Sequence, residues 1–218
     1  MATVDRAKAG HVLQGVSWES YREMRDDPDH DHLRMTYHDG TLIFVSPEYI
    51  HDRGAERLGL IVRAVVEAYR IRVAGTRTTT LRREGVGPLK GDAKEPDNAY
   101  YVGFSESLIR GKDTIDLEID PPPDLAIEVD NKSDSTLALP IYAALLIPEV
   151  WRYQARGRTL WFGGLADGSY DTIDRSLCLP MLTPDLVLFA LKQSEDEDEM
   201  TWNRWLRGWA ATLPGAVG

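Results

Sequence analysis

Apolar positions come first in short runs and then in one long helical stripe. Trp18, Tyr21 and Met24 fall at helical spacing behind Ser17, whose hydroxyl suits a helix cap, and Asp26-Asp27-Pro28 ends that helix. Residues 33–37 and 41–45 read as two strands. Asp39-Gly40 between them is a hairpin signal, because a tight turn needs residues that tolerate positive φ. Ser46-Pro47 opens the longest helix, a cap followed by a proline where the missing N–H costs nothing. Ile50, Leu58, Ile61, Val62, Val65 and Tyr69 share its apolar stripe, and Glu48, His51 and Asp52 stand in its first turns.

Beyond Gly75 the period shortens. Residues 76–83 read as a strand, being rich in β-branched side chains, and 84–94 as a Gly/Pro/Lys loop. Residues 96–102 and 124–130 read as further strands, the second led in by three prolines at 121–123. A helix over 139–146 is followed by strands at 150–153, 159–162 and 170–173, and Thr183-Pro184 repeats the cap-plus-proline signature. Five consecutive acids, 195–199, read as a solvated linker. Trp202, Trp205, Leu206 and Trp209 then form one stripe of a final helix, which needs a surface to cover: the body of the protein or a second subunit. The predicted organisation is a loose arm (1–15), one domain (16–192), an acidic linker (193–200) and a C-terminal Trp-rich helix (201–218). The order of elements predicts a mixed α/β (α+β) domain with a central sheet rather than a doubly wound βαβ fold.

Composition narrows the function. A chain of 218 residues has enough surface to bury a core without staples, and one cysteine, Cys178, allows neither a disulfide nor a cysteine zinc cluster. No apolar run approaches the roughly 20 residues of a bilayer span, so a cytoplasmic protein is expected. The net charge of −10 argues against coating nucleic acid by bulk charge. Residues 70–94 alone carry +5, however, leaving −15 elsewhere, and that strip could meet phosphates or be a solvated face. Phosphate-cradling glycine motifs, GxSxG and HExxH are all absent. The DHDH run at 29–32 reads as a polar loop.

The chemistry concentrates in DLAIEVDNK, residues 124–132. Strand alternation sends Leu125, Ile127 and Val129 to one side, and Asp124, Ala126, Glu128 and Asp130 to the other. Asp97, after Pro96, offers another carboxylate on a neighbouring strand. Hard oxygen donors converging in this way suit Mg²⁺ or Mn²⁺, the cofactor of many phosphodiester hydrolases. The alternative is structural: Asp97 capping a turn and Glu128 paired with an arginine such as Arg152.

These phrases, with DGTLIFVSPEYIHDR (39–53), EPDNAYYV (95–102), PPPDLAIEVDNKSDS (121–135) and LPIYAALLIPEVWRY (139–153), resemble the Uma-two family of restriction-endonuclease-like proteins, within the PD-(D/E)XK superfamily, over about residues 16–190. The resemblance implies a restriction-endonuclease-like central mixed sheet flanked by helices, often as a homodimer. It implies DNA as substrate and a Mg²⁺ (or Mn²⁺) site in which Asp97 and Glu128 hold the metal with the Val129 carbonyl, Asp130 assisting through water. The motif position two residues past the Glu holds Asp130, and the helix position where relatives carry a base holds Ala138. Lys132 is therefore the candidate for the basic role, and Arg82, Arg83, Lys94 and His51 are candidates for phosphate contacts. Two functions follow: a metal-dependent DNA endonuclease, or a binding or accessory protein that keeps the fold without catalysis.

Overall fold

The computed structural model describes residues 4–5, 10–30, 32–45, 49–77, 79–85, 87–130 and 138–217, with side chains except at 4–5, 10, 45 and 49–52. Its described residues have the expected mixed α/β architecture, built on two sheets with helices. The first runs in the order β1 (Val4–Asp5), β2 (Gly10–Gln14), β4 (Thr41–Val45), β3 (Arg34–His38), β7 (Gly91–Lys94), β6 (Leu81–Glu84), all antiparallel. The second runs β12 (Ser169–Thr172), β11 (Thr159–Ala166), β10 (Glu149–Gln154), β9 (Leu125–Asp130), β8 (Asn98–Val102), β5 (Val73–Gly75). This sheet is mixed: β9 and β10 are parallel and the other pairs antiparallel. Parallel neighbours need a crossover, and α4 (Ala138–Ala144) lies within it.

The local signals act as their chemistry dictates. Ser17 accepts from the Ser20 amide at 3.1 Å and starts α1 (Trp18–Arg25). Asp39 and Gly40 both take positive φ in the β3–β4 turn. Thr183 caps α5 (Pro184–Gln193), with Pro184 in the first turn. The acidic run is not all linker: Asp198 accepts from the Met200 and Thr201 amides and Glu199 begins α6 (Glu199–Ala211). Carboxylates fit there because a helix N-terminus presents unpaired N–H groups.

Three sequence expectations change. Gly10–Gln14, read as part of a loose arm, is a strand paired with β4. The run 76–83, read as one strand, is strand only from Leu81, where β6 starts in the first sheet; β5 of the second sheet has already ended at Gly75. Gly91–Lys94, read as loop, is β7, paired on both sides. That strand has no β-branched or aromatic residue, so its conformation comes from its neighbours rather than its own propensity.

The main core lies on one face of the second sheet. Leu125, Ile127, Val129, Trp151 and Phe162 pack there against α2 (Tyr49–Ala68), α5 and α6. Trp202 of α6 is buried, and its indole N–H donates to the Ala190 carbonyl at 3.1 Å. The final helix thus finds its cover within its own chain. Gly54 lets α2 lie close to β9: a Cβ there would stand 2.8 Å from Val129 Cγ1. The opposite face of the second sheet carries Ala126 and Val150 under Ile141, Tyr142 and Leu145, with Leu81 of β6 joining them. The β6–β7 hairpin and α4 therefore cover the same face that bears Glu128.

Candidate active site

β9 displays the alternation expected of it. Its odd residues enter the main core, and Glu128 and Asp130 point with Ala126 to the other face. That face is not solvent: Glu128 is 7% exposed. Both of its oxygens are engaged. Lys94 Nζ lies 3.3 Å from Oε2, and the Tyr142 hydroxyl of α4 donates to Oε1. Burial pushes the Glu128 carboxyl above its ordinary value, Lys94 opposes this, and nearby Asp97 adds to it. Burial and Glu128 together push the Tyr142 hydroxyl well above the tyrosine range, so Tyr142 stays a donor.

Asp97 stands just before β8, next to β9 in the sheet. Its Oδ2 accepts the Val129 amide at 2.9 Å, and its Oδ1 accepts from Arg34 Nη2 at 3.1 Å. The aspartate is thereby tied to the strand that bears Glu128. Burial alone would lower the Arg34 pKa, but Asp97, with Glu128 and Glu95, holds it above its ordinary value. Arg34 comes from β3, in the other sheet. Behind it lies buried Glu95, with Arg25 Nε at 3.6 Å and the Thr80 hydroxyl at 3.2 Å from Oε1. The first sheet and α1 thus deliver Arg25, Arg34 and Lys94 to three carboxylates, Glu95, Asp97 and Glu128.

Asp130 goes elsewhere. Arg152 of β10, directly opposite Glu128 in the ladder, reaches along the strand to Asp130 Oδ2 at 3.0 Å. The sequence alternative of a Glu128–Arg152 pair is therefore not what forms. Lys132 lies outside the described residues, as does the His51 side chain. Lys94, a candidate for phosphate contact, is in the interior beside Glu128, its side chain 12% exposed. Arg82 pairs with Asp26 at 2.7 Å, and Arg83 turns inward to donate to the Leu117 carbonyl at 2.8 Å. The strip of positive charge at 70–94 is thus divided: Arg77 pairs with Glu56 and Lys90 with Asp39.

Arg34, Glu95 and Tyr142 carried no sequence signal. Arg34 and Asp97 are far apart in the chain, and neither spacing nor composition links them. No group of three His, Cys, Asp or Glu side chains converges as a metal site among the described residues.

The family model described as "Putative restriction endonuclease", Uma2, matches residues 18–198. The chain belongs to the Uma2 family. No curated protein matches it. Among solved structures, a putative nuclease belonging to DUF820 from Anabaena variabilis is similar at 17% identity, over 65% of this chain and 76% of that one, with a TM-score of 0.43. The Uma2 match spans α1 to α5, with the second sheet and β3, β4, β6 and β7 of the first, and includes Asp97, Glu128, Lys94, Arg34 and Tyr142. No described helix is long and apolar enough to cross a membrane.

Proposed function

We propose that this Uma2-family chain is a metal-dependent DNA endonuclease with a PD-(D/E)XK-like site, in which Asp97 and Glu128 hold Mg²⁺ or Mn²⁺. The observation that carries the reading is the junction of β8 and β9: buried Glu128 on β9 and partly buried Asp97 just before β8, the aspartate tied to β9 by the 2.9 Å bond from the Val129 amide. The donor set fits a hard cation. Each carboxylate oxygen has one donor and keeps a lone pair. A main-chain oxygen is on hand as well. Continuing the β8–β9 register by two residues sets Pro96 opposite Val129, and proline has no N–H to offer the Val129 carbonyl. Three oxygens, from Asp97, Glu128 and Val129, make a set that magnesium accepts with waters completing its shell.

When bound, the ion orients a water and withdraws charge from the phosphate oxygens. The chain's own groups prepare that site. The Val129 amide and Arg34 fix the Asp97 rotamer, Tyr142 fixes that of Glu128, and burial excludes bulk water from Glu128. Asp130, held by Arg152, serves through water rather than as a direct ligand.

The test is nicking of supercoiled plasmid with Mg²⁺ or Mn²⁺ by wild type and Glu128→Ala, prepared identically. Loss of metal-dependent nicking on the order of 100-fold or more in the variant is expected. Full activity in Glu128→Ala would falsify the assignment. The competing function is a binding or accessory protein, favoured by the two internal cations already seated on the carboxylates. It predicts DNA binding without cleavage by either protein.

A further inference from the structure

Neither place where sequence would put a base beside Glu128 provides one. The position two residues along β9 is Asp130, itself held by Arg152. The position at the start of α4 is Ala138, buried and uncharged. Among the described residues an ammonium arrives by a third route. Lys94 ends β7 of the first sheet, where Ala93 faces the Trp18–Tyr37 core and its neighbours Asp92 and Lys94 face the other way. That direction leads to α4 and β9. The Lys94 amine stands 3.3 Å from Glu128 Oε2 and 5.6 Å from the centroid of the Tyr142 ring. The carboxylate thus lies between one ammonium and one phenol, and the ring face adds to the attraction for the cation.

We propose that Lys94 is the basic residue of the site, supplied from β7 in place of a lysine on β9 or α4. The proposal rests on the nuclease reading above. Hydrolysis forms a bond from a water oxygen to phosphorus and breaks one P–O ester bond. The water releases a proton to solvent, the leaving alkoxide takes one up, and the phosphoryl oxygens carry extra negative charge in between. Lys94 neither gains nor loses a proton in this scheme. It supplies a fixed positive charge at the phosphoryl oxygens, in a partly dehydrated place where such a charge acts strongly. Lys132 is then dispensable.

Two measurements on the full chain test this. In steady-state cleavage, Lys94→Met lowers kcat by about 100-fold with KM little changed, Lys94→Arg recovers about tenfold of that loss, and Lys132→Met stays near wild type. The second needs no turnover. The chain has six lysines. In ¹³Cε-lysine-labelled wild-type protein, the Lys94 resonance, assigned from the Lys94→Arg spectrum, broadens on adding substoichiometric Mn²⁺, and the broadening disappears in Asp97→Asn. The assignment is overturned, with the nuclease reading intact, if Mn²⁺ broadens the Lys132 signal instead, or if Lys94→Met cleaves like wild type while Glu128→Ala is dead. A wild type that neither binds Mn²⁺ nor cleaves DNA overturns the nuclease reading and Lys94's role with it. The resonance measurement on wild type decides the matter even where Lys94→Met does not fold.

Discussion

Glu128 is pulled in two directions, and the balance makes the site sensitive to pH. Burial raises its carboxyl above the ordinary value of 4.5, while the Lys94 ammonium lowers it. A carboxyl with a raised folded pKa holds its proton longer when folded than when unfolded. Stability is therefore lost as pH rises through the window above 4.5, and is fully present below it. Lys94→Met removes the lowering influence and stretches that window upward. The variant is expected to lose about 3–5 kcal/mol at pH 7, where Glu128 lacks its counter-charge, and little at pH 4. Urea melts at the two pH values check this; equal losses would show that Lys94 acts through packing alone. Glu149 is a contrasting buried acid. It is fully enclosed and accepts from Trp151 Nε1 (2.5 Å), Ser176 Oγ (3.1 Å) and the amides of Leu177 (2.8 Å) and Cys178 (3.1 Å). It pins the 176–178 turn to β10. Burial, with Glu149 next, pushes the Cys178 thiol well up. Glu149→Ala leaves several donors unpaired, at about 1–3 kcal/mol each, and frees Cys178. Faster thiol modification with an earlier urea midpoint is expected; unchanged Cys178 reactivity would contradict this picture.

At the scale of elements, α2 sets the position of β9 and so of Glu128. The close approach depends on Gly54, where a Cβ would lie 2.8 Å from Val129 Cγ1. Asn98 Nδ2 locks the helix to β8 by donating to the Ala55 carbonyl at 2.6 Å. Gly54→Ala is expected to cost about 1–3 kcal/mol by overpacking, and adding Val129→Ala to recover much of it. Simple additivity of the two changes in a thermal double-mutant cycle would show that they do not meet. The alternation of β9 and the Asp39-Gly40 turn were legible because period and turn chemistry are local properties. The arrival of Lys94 was not. Gly91-Asp92-Ala93-Lys94 has no strand signal of its own, and it becomes a strand because β3 and β6 flank it. Likewise the β-branched run from Thr76 promised one strand, but the chain crosses between sheets there, and only its end from Leu81 is strand.

The chain is acidic, and among the described residues many basic side chains pair with its own acids. Arg77, Arg82 and Lys90 pair with Glu56, Asp26 and Asp39 in turn, and Lys94 and Arg34 are turned into the site. Sequence showed the +5 strip but not this dispersal, because pairing partners lie in distant segments. DNA binding is accordingly expected to be modest, with a shallow salt dependence equivalent to about three phosphate contacts or fewer. Arg82→Ala should change it little. Fluorescence anisotropy across a salt series measures both, and a steep slope that flattens in Arg82→Ala would restore the strip as the DNA-binding face. The C-terminal helix, whose Trp stripe called for the body or a second subunit to cover, packs on α2 and α5 of its own chain. The central claim is that Asp97 and Glu128 form a metal site. Its most direct test is calorimetric titration of Mn²⁺ into wild type and Asp97→Ala. Saturable binding to wild type that vanishes in the variant is the predicted result. Equal binding to both, or none to the wild type, would contradict it.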